Sequence, residues 1–205
     1  MKKTMGRPRA FHPQDFLNTA LDVFWLKGFQ ATSMADLMKT SGLASASIYK
    51  LYPDKKSLFL AALTQYMEDG LRRIAARANE LPPGEALRET LDYCAHLSSG
   101  ENGIRGCLTI AAANELIPRD KEVCEKVHFM FNSIKQHLEH IIRRGQEEDI
   151  FRTDTAASVI AESLFMLLEG MRVYGKIGPE IADLKQVNHF MMTAILKPKP
   201  AGGDV

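Results

Sequence analysis

The sequence lacks any uninterrupted apolar run near the roughly 18–20 residues that a membrane-crossing helix needs, so no membrane partner is expected. Its three cysteines, Cys94, Cys107 and Cys124, are an odd number at wide spacing, which excludes a disulfide framework. The opening Met-Lys-Lys is not followed by the apolar stretch and cleavage site of a secretory signal. Together these absences lead to the expectation of a reduced, cytoplasmic protein. A Gly-rich phosphate loop, a nucleophile elbow and paired carboxylates in a cleft-forming context are missing too, so neither an enzyme nor a bound cofactor is expected. His137 and His140 stand three apart on one helical face, but no third or fourth ligand accompanies them, and no metal site is expected.

Strand-like alternation between turn signals is also missing, whereas the helical period recurs along almost the whole chain. With 45% hydrophobic and 25% charged residues, the 205-residue chain can bury a core and is not a disordered protein. A first helix opens at Pro13, buries Phe16, Ala20, Val23 and Phe24 on one face, and stops at Gly28. Ser33-Met-Ala-Asp36 is a capping-box pattern for a second helix that ends at Gly42. A third covers about 44–51, with Ile48 and Leu51 turned to the core. Asp54 can cap a long fourth helix whose stripe is Phe59, Leu63, Met67, Leu71, Ile74 and Ala78. Five further helices are read: about 84–98, 106–116, one carrying Val123, Val127, Met130, Ile134, Leu138 and Ile141 before a break at Gly145 to Phe151, then about 153–175 and 180–196, with Ser98–Gly103 as a loop. The expected class is all-α with about nine helices. The expected organisation is a flexible basic arm (1–10), a three-helix unit (11–59), a larger helical domain (60–196) and a flexible tail (197–205).

Charge divides unevenly along the chain. Residues 1–66 hold nine Lys/Arg against four Asp/Glu, while the remainder is net acidic, which points one end of the molecule at a polyanion. The second and third helices, joined by a tight turn at Gly42, have helix-turn-helix form. The third opens with Ala44-Ser45-Ala46-Ser47, small enough to sit deep in a major groove, and Tyr49 and Lys50 can reach base edges or phosphates. Lys55 and Lys56 fall in the first turn of the fourth helix, where cations are electrostatically poor unless a phosphate joins them. Arg7 and Arg9 flank Pro8 in the arm, and such a segment either lies in an A·T-rich minor groove or is a solubilising tail.

Thr32-Ser-Met-Ala-Asp-Leu37, the Gly42-Leu43 turn and Tyr49-x-x-Tyr52-x-x-Lys55-x-x-Leu58 resemble the N-terminal domain of the TetR family of transcriptional regulators, over about residues 11–60. The resemblance implies a bacterial, cytoplasmic homodimer whose recognition helices enter successive major grooves of a partly palindromic double-stranded operator. By position it gives phosphate contacts to Thr32 and Tyr49, the family's helix-start lysine to Lys55, and base reading to Ser45, Ala46, Ser47 and Lys50. Lys50 and Leu51 depart from the aromatic residue and histidine common there, so operator preference is not carried over. It also implies that the last two long helices form the dimer interface, for which Leu164, Leu167, Leu168, Phe190, Met191 and Ile195 offer apolar faces.

For a small-molecule inducer, Met130, Phe131, Phe165, Met166 and Tyr174 are the candidate walls, each equally able to be plain core. Arg105, Asn114, Glu115, His128 and Arg172 are the candidate polar groups that orient it. Cys107, at a helix N-terminus beside Arg105, is either a buried small residue or a reactive thiolate. Three functions follow: a repressor released by an apolar or amphipathic inducer, a thiol-based sensor switched at Cys107, or a helical carrier or enzyme bearing a helix-turn-helix.

Overall fold

The computed structural model describes residues 12–197. The basic arm, with Arg7 and Arg9, and the tail beyond Lys197 lie outside the described residues. Among the described residues ten α-helices run in the order α1 (Pro13–Lys27), α2 (Met34–Ser41), α3 (Ser45–Leu51), α4 (Lys55–Glu80), α5 (Pro83–Leu97), α6 (Gly100–Arg105), α7 (Leu108–Leu116), α8 (Lys121–Glu147), α9 (Ala157–Tyr174) and α10 (Ile181–Ile195). All nine expected helices are present; the additional one, α6, occupies most of the segment read as a loop. The only extended pairing among the described residues is a single antiparallel bridge between Phe151 and Leu196. No described helix is long and apolar enough to cross a membrane.

The chain forms two compact units that divide between Gln65 and Tyr66, within α4. The first is built on aromatic packing. The Phe24 and Phe59 rings meet edge to face at 5.1 Å, and Phe29 packs on Phe59 at 4.9 Å. Phe16, Leu37, Ile48 and Leu58 fill the rest of this core at 2% exposure or less. Each such side chain contributes roughly 1.5–3 kcal/mol through apolar area removed from water. Local signals set the helix ends. Pro13 is already shaped for the first turn of α1, and Gly42 ends α2 at φ +68°, a left-handed conformation costly for residues with a Cβ.

The second unit centres on residues from α4, α5, α8, α9 and α10, including Leu87, Leu91, Leu138, Ile141, Leu164 and Leu168. Asp120 caps α8 by accepting from the Val123 N–H at 3.2 Å. After α8 the chain reverses through residues 148–150, and the Ile150 and Phe151 N–H groups donate to the Gly145 carbonyl at 2.8 and 3.0 Å. That reversal buries Phe151 completely. Lys197, expected to begin a flexible tail, is instead fixed. Its N–H donates to the Ile150 carbonyl at 2.9 Å and its ammonium pairs with Asp149 at 2.5 Å.

Candidate DNA-binding face and ligand groove

In the first unit, α2 is held by reciprocal capping. Ser33 Oγ accepts from the Asp36 N–H at 3.1 Å, and Asp36 Oδ2 accepts from the Ser33 N–H at 2.9 Å. Lys27 adds an ion pair to Asp36 at 3.0 Å. The Ser33 hydrogen bonds first, and Lys27 after them, hold the Asp36 carboxyl well below the usual carboxylate range. Asp54 starts α4 in the same way, accepting from the Ser57 N–H at 2.7 Å, and that bond lowers its carboxyl too.

Between these fixed ends, α3 is anchored by one buried side chain, Ile48. Ser45, Ala46, Ser47, Tyr49 and Lys50 are all exposed. Leu51, expected to share the anchoring with Ile48, is 38% exposed. A helix of only seven residues turns little more than one side inward, and Ile48 already occupies it. Thr32 and Lys55 are placed differently from these five. Thr32 is 1% exposed and its hydroxyl donates to the Gly28 carbonyl at 2.7 Å. The Lys55 ammonium donates to the carbonyls of Phe29 at 2.9 Å and Thr32 at 2.8 Å and lies 4.3 Å from the centre of the Phe29 ring. The α1–α2 connection is thereby tied to the start of α4.

In the second unit, α7, α8 and α9 enclose an open groove of about 420 Å³. Ile110, Ala113 and Asn114 line it from α7, Phe131 from α8, and Phe165, Met166, Glu169, Gly170 and Val173 from α9. Phe131 and Phe165 meet edge to face at 5.3 Å. Three of the expected wall residues, Phe131, Phe165 and Met166, are therefore brought together here. Met130 is buried at 7% exposure, while Tyr174 is 52% exposed, and neither lines the groove. Asn114 alone of the polar candidates lines it. Arg172 is spent elsewhere, donating to the Leu97 carbonyl and to the Gly106 carbonyl at 2.5 Å. Glu169 was not legible as a groove residue from sequence. Burial pushes its carboxyl up to about 7 against the opposing field of Arg172, and its Oε2 is buried without a hydrogen-bond partner.

Cys107 lies outside this groove, half-buried at the N-cap of α7. The Tyr66 hydroxyl donates to its Sγ at 3.5 Å, and burial raises the Tyr66 phenol. Burial pushes the Cys94 thiol up to about 12. No group of three His, Cys, Asp or Glu suited to a metal ion occurs among the described residues.

The expected interface residues divide. Leu164, Leu168 and Ile195 belong to the intrachain core at 0%, 6% and 4% exposure, because the α9 and α10 faces that carry them are covered by their own chain. Leu167 and Met191 are partly buried against that core, and Phe190 is exposed. The large apolar residues left uncovered on these helices are Val159, Met166 and Val173, spaced by seven along α9, and Tyr174 at its end, with Val187 and Phe190 on α10; Met166 and Val173 also line the groove. A reading by hydrophobicity alone selects the buried stripe, since it is the more apolar of the two.

A capped helix pair that presents a third, short helix by its polar and small residues defines a helix-turn-helix DNA-binding protein. Comparison with known proteins specifies the family. Residues 16–62 match the pattern of bacterial regulatory proteins of the tetR family, and residues 83–189 match the tetracyclin repressor-like C-terminal domain. The chain belongs to the TetR family of DNA-binding transcriptional regulators, proteins that act by binding rather than catalysis. It is 24% identical to the transcriptional repressor ComR of Escherichia coli over 189 residues, covering 91% of this chain and 90% of ComR. To the repressor BdcR of Escherichia coli it is 26% identical over 157 residues, covering 76% and 79% of the two chains. Among solved structures, a cysteine mutant of the TetR-family regulator CifR in complex with a 26-base-pair double-strand operator superposes with a TM-score of 0.79. That match is 26% identical and covers 93% of this chain and all of CifR. The reduced form of NemR from Escherichia coli shares the fold, with a TM-score of 0.79 at 18% identity over 92% of this chain and 97% of NemR.

Proposed function

We propose that this regulator is a homodimeric, cytoplasmic repressor that leaves a palindromic operator when a small apolar or amphipathic inducer occupies the groove between α7, α8 and α9. The observation that carries the DNA side is the exposure of Ser45, Ala46, Ser47, Tyr49 and Lys50 around the single anchor Ile48. Ser45, Ala46, Ser47 and Lys50 read bases, Tyr49 and the arm residues Arg7 and Arg9 meet phosphates and the minor groove, and Lys55 with Thr32 holds the frame. The operator-bound form of CifR supports operator binding by this chain. Dimerisation joins the exposed apolar residues that lie outside the groove, Val159 on α9 with Val187 and Phe190 on α10. An inducer acts by favouring the dimer geometry in which the two recognition helices no longer match successive major grooves.

The test is selection of genomic DNA fragments by the purified chain at moderate salt, followed by sequencing. One enriched, roughly palindromic motif upstream of a few genes is the expected result, and Lys50→Ala shifts its preferred bases. Enrichment of A·T-rich DNA with no motif overturns the recognition-helix assignment.

A second reading rests on the Tyr66 hydroxyl at Cys107 Sγ, a polar contact to a half-buried thiol that plain packing does not require. In it, an electrophile or oxidant modifies Cys107, breaks that contact and releases DNA. Release by an electrophile that is abolished in Cys107→Ser supports it; release that survives the substitution removes it.

A further inference from the structure

The groove between α7, α8 and α9 is walled by apolar side chains, and its lining has only two polar ones, Asn114 and Glu169. One Glu169 oxygen is buried and bonded to nothing. An unpaired acceptor in an apolar setting costs free energy, and an ionised one costs more. The cation beside it is already hydrogen-bonded elsewhere. Arg172, one turn along α9, gives N–H groups to the carbonyls of Leu97 and Gly106, and the group that faces Glu169 from α5 is the Cys94 thiol, which burial keeps neutral. Asn114 from α7 brings no charge. Phe131 and Phe165 meet edge to face, and Lys135 already lies 5.7 Å from the centre of the Phe165 ring, so this aromatic pair stands in a setting that attracts cations. A ligand that supplies positive charge at Glu169 and an apolar body along Phe131, Phe165 and Val173 satisfies all of these features together.

We propose that the groove binds an organic cation, a protonated amine on an apolar or aromatic body, with Glu169 as its counter-ion. This rests on the groove being the inducer site. It adds a chemical class to that reading and predicts rejection of organic anions of the same shape.

The test is calorimetric titration of the full chain with three probes of one shape: 2-phenylethylamine, 2-phenylethanol and 3-phenylpropionate. At about pH 8, where both the amine and Glu169 are charged, the amine binds at least about tenfold more tightly than the alcohol, and the carboxylate does not bind. Glu169→Gln removes the preference for the amine and leaves binding of the alcohol. Gly170→Leu, which fills the groove from a position whose Cβ meets nothing within 4 Å, removes binding of both. In the unmodified chain, acidification below about pH 7 weakens the amine alone, as protons compete for Glu169. Equal binding of amine and alcohol, preference for the carboxylate, or an amine preference that survives Glu169→Gln overturns the proposal. Binding of labelled DNA, measured in parallel, separates the two readings. Loss of amine selectivity with DNA release by the neutral alcohol leaves the groove as an inducer site and sinks only the cation. Selective amine binding without any effect on DNA sinks the inducer reading and leaves the cation site standing.

Discussion

The Lys55 ammonium donates to the Thr32 carbonyl at 2.8 Å, joining the start of α4 to the residue that precedes the α2 cap. A second bond to Phe29 and the ring face of the same residue complete its surroundings. Such a lysine is a fastening of the first unit before it is a phosphate ligand. Lys55→Met is expected to cost about 2 kcal/mol in the stability of that unit, as two carbonyls lose a charged donor. Chemical denaturation followed by the fluorescence of Trp25 reads this directly. Unchanged stability would mean the ammonium is free for DNA.

Lys50 makes the complementary case. It is exposed on α3 and holds no other element in place. Lys50→Ala is expected to change stability by less than about 0.5 kcal/mol. If Lys50 contacts a phosphate, the slope of log affinity against log salt falls by about one, uniformly across sequences; if it reads a base, preference at one operator position relaxes instead. Binding titrations at several salt concentrations, with operator and with scrambled DNA, distinguish the two.

Most helix ends were legible because their causes are local. Ser33 and Asp36 are three residues apart, Asp54 and Ser57 likewise, and Pro13 and Gly42 act on their own backbone. The segment from Ser98 to Gly103 read as a loop because two glycines and an asparagine are poor helix formers. It folds as α6 for reasons that lie far along the chain. A Cβ at Gly103 would meet the carbonyls of Ser98 and Gly175 at 2.6 and 2.7 Å, so glycine there serves close packing. The carbonyls of Ile104 and Arg105 are taken up by Lys176 at 3.0 Å each, and that of Gly106 by Arg172. Glu169 escaped attention for a related reason. Apolar stripes name the walls of a groove, but whether a polar neighbour faces inward unpaired depends on which elements pack over it. The exposure of Ser45, Ala46, Ser47, Tyr49 and Lys50 was easier to read, since a seven-residue helix with one buried side chain leaves the rest outside.

Gly145 shows how tightly the end of α8 is closed. A Cβ built there would collide with the Phe151 ring, and Phe151 is fully buried. Gly145→Ala must therefore push Phe151 out of the core or shift the reversal that follows α8. A loss of about 2–4 kcal/mol is expected, against the gain of under about 1 kcal/mol that alanine gives in an open helix. Thermal unfolding of Gly145→Ala beside Gly170→Ala makes the comparison, since a Cβ at Gly170 meets nothing within 4 Å. A Gly145→Ala variant as stable as the parent would contradict the close packing.

Glu169 makes one contribution to the pH dependence of stability, opposite in sign to that of His137, whose ring is lowered by burial. The Glu169 carboxyl is raised to about 7 in the folded chain, so the folded state holds a proton that the unfolded state has already lost. Between the ordinary glutamate range and about pH 7 the folded state binds more protons, and stability falls as pH rises through that window. Arg172 opposes the shift but does not cancel it. With residual solvent access allowed for, the loss is about 2 kcal/mol, complete above about pH 7. Glu169→Gln is expected to match the parent near pH 5 and to exceed it at pH 8. Urea denaturation across that range checks the sign, and parallel curves for the two proteins would mean an ordinary carboxyl.

The two apolar stripes of α9 and α10 separate interface from core. Val159 and Phe190 are 56% and 69% exposed and neither lines the groove, so an aspartate at either position leaves the fold of one subunit intact. Leu164 is fully buried among its own chain's helices, and Leu164→Ala is expected to cost about 3 kcal/mol in stability. If the exposed stripe joins two copies, Val159→Asp and Phe190→Asp place a charge in an apolar contact and shift the dimer toward monomer at micromolar concentration. Sedimentation velocity measures that shift, and far-ultraviolet circular dichroism shows the helices retained. Operator affinity then falls steeply, because one recognition helix on one half-site forfeits the second half of the contact. A dimer that survives both substitutions would move the interface to a different face, since the buried stripe is closed to a partner by its own packing.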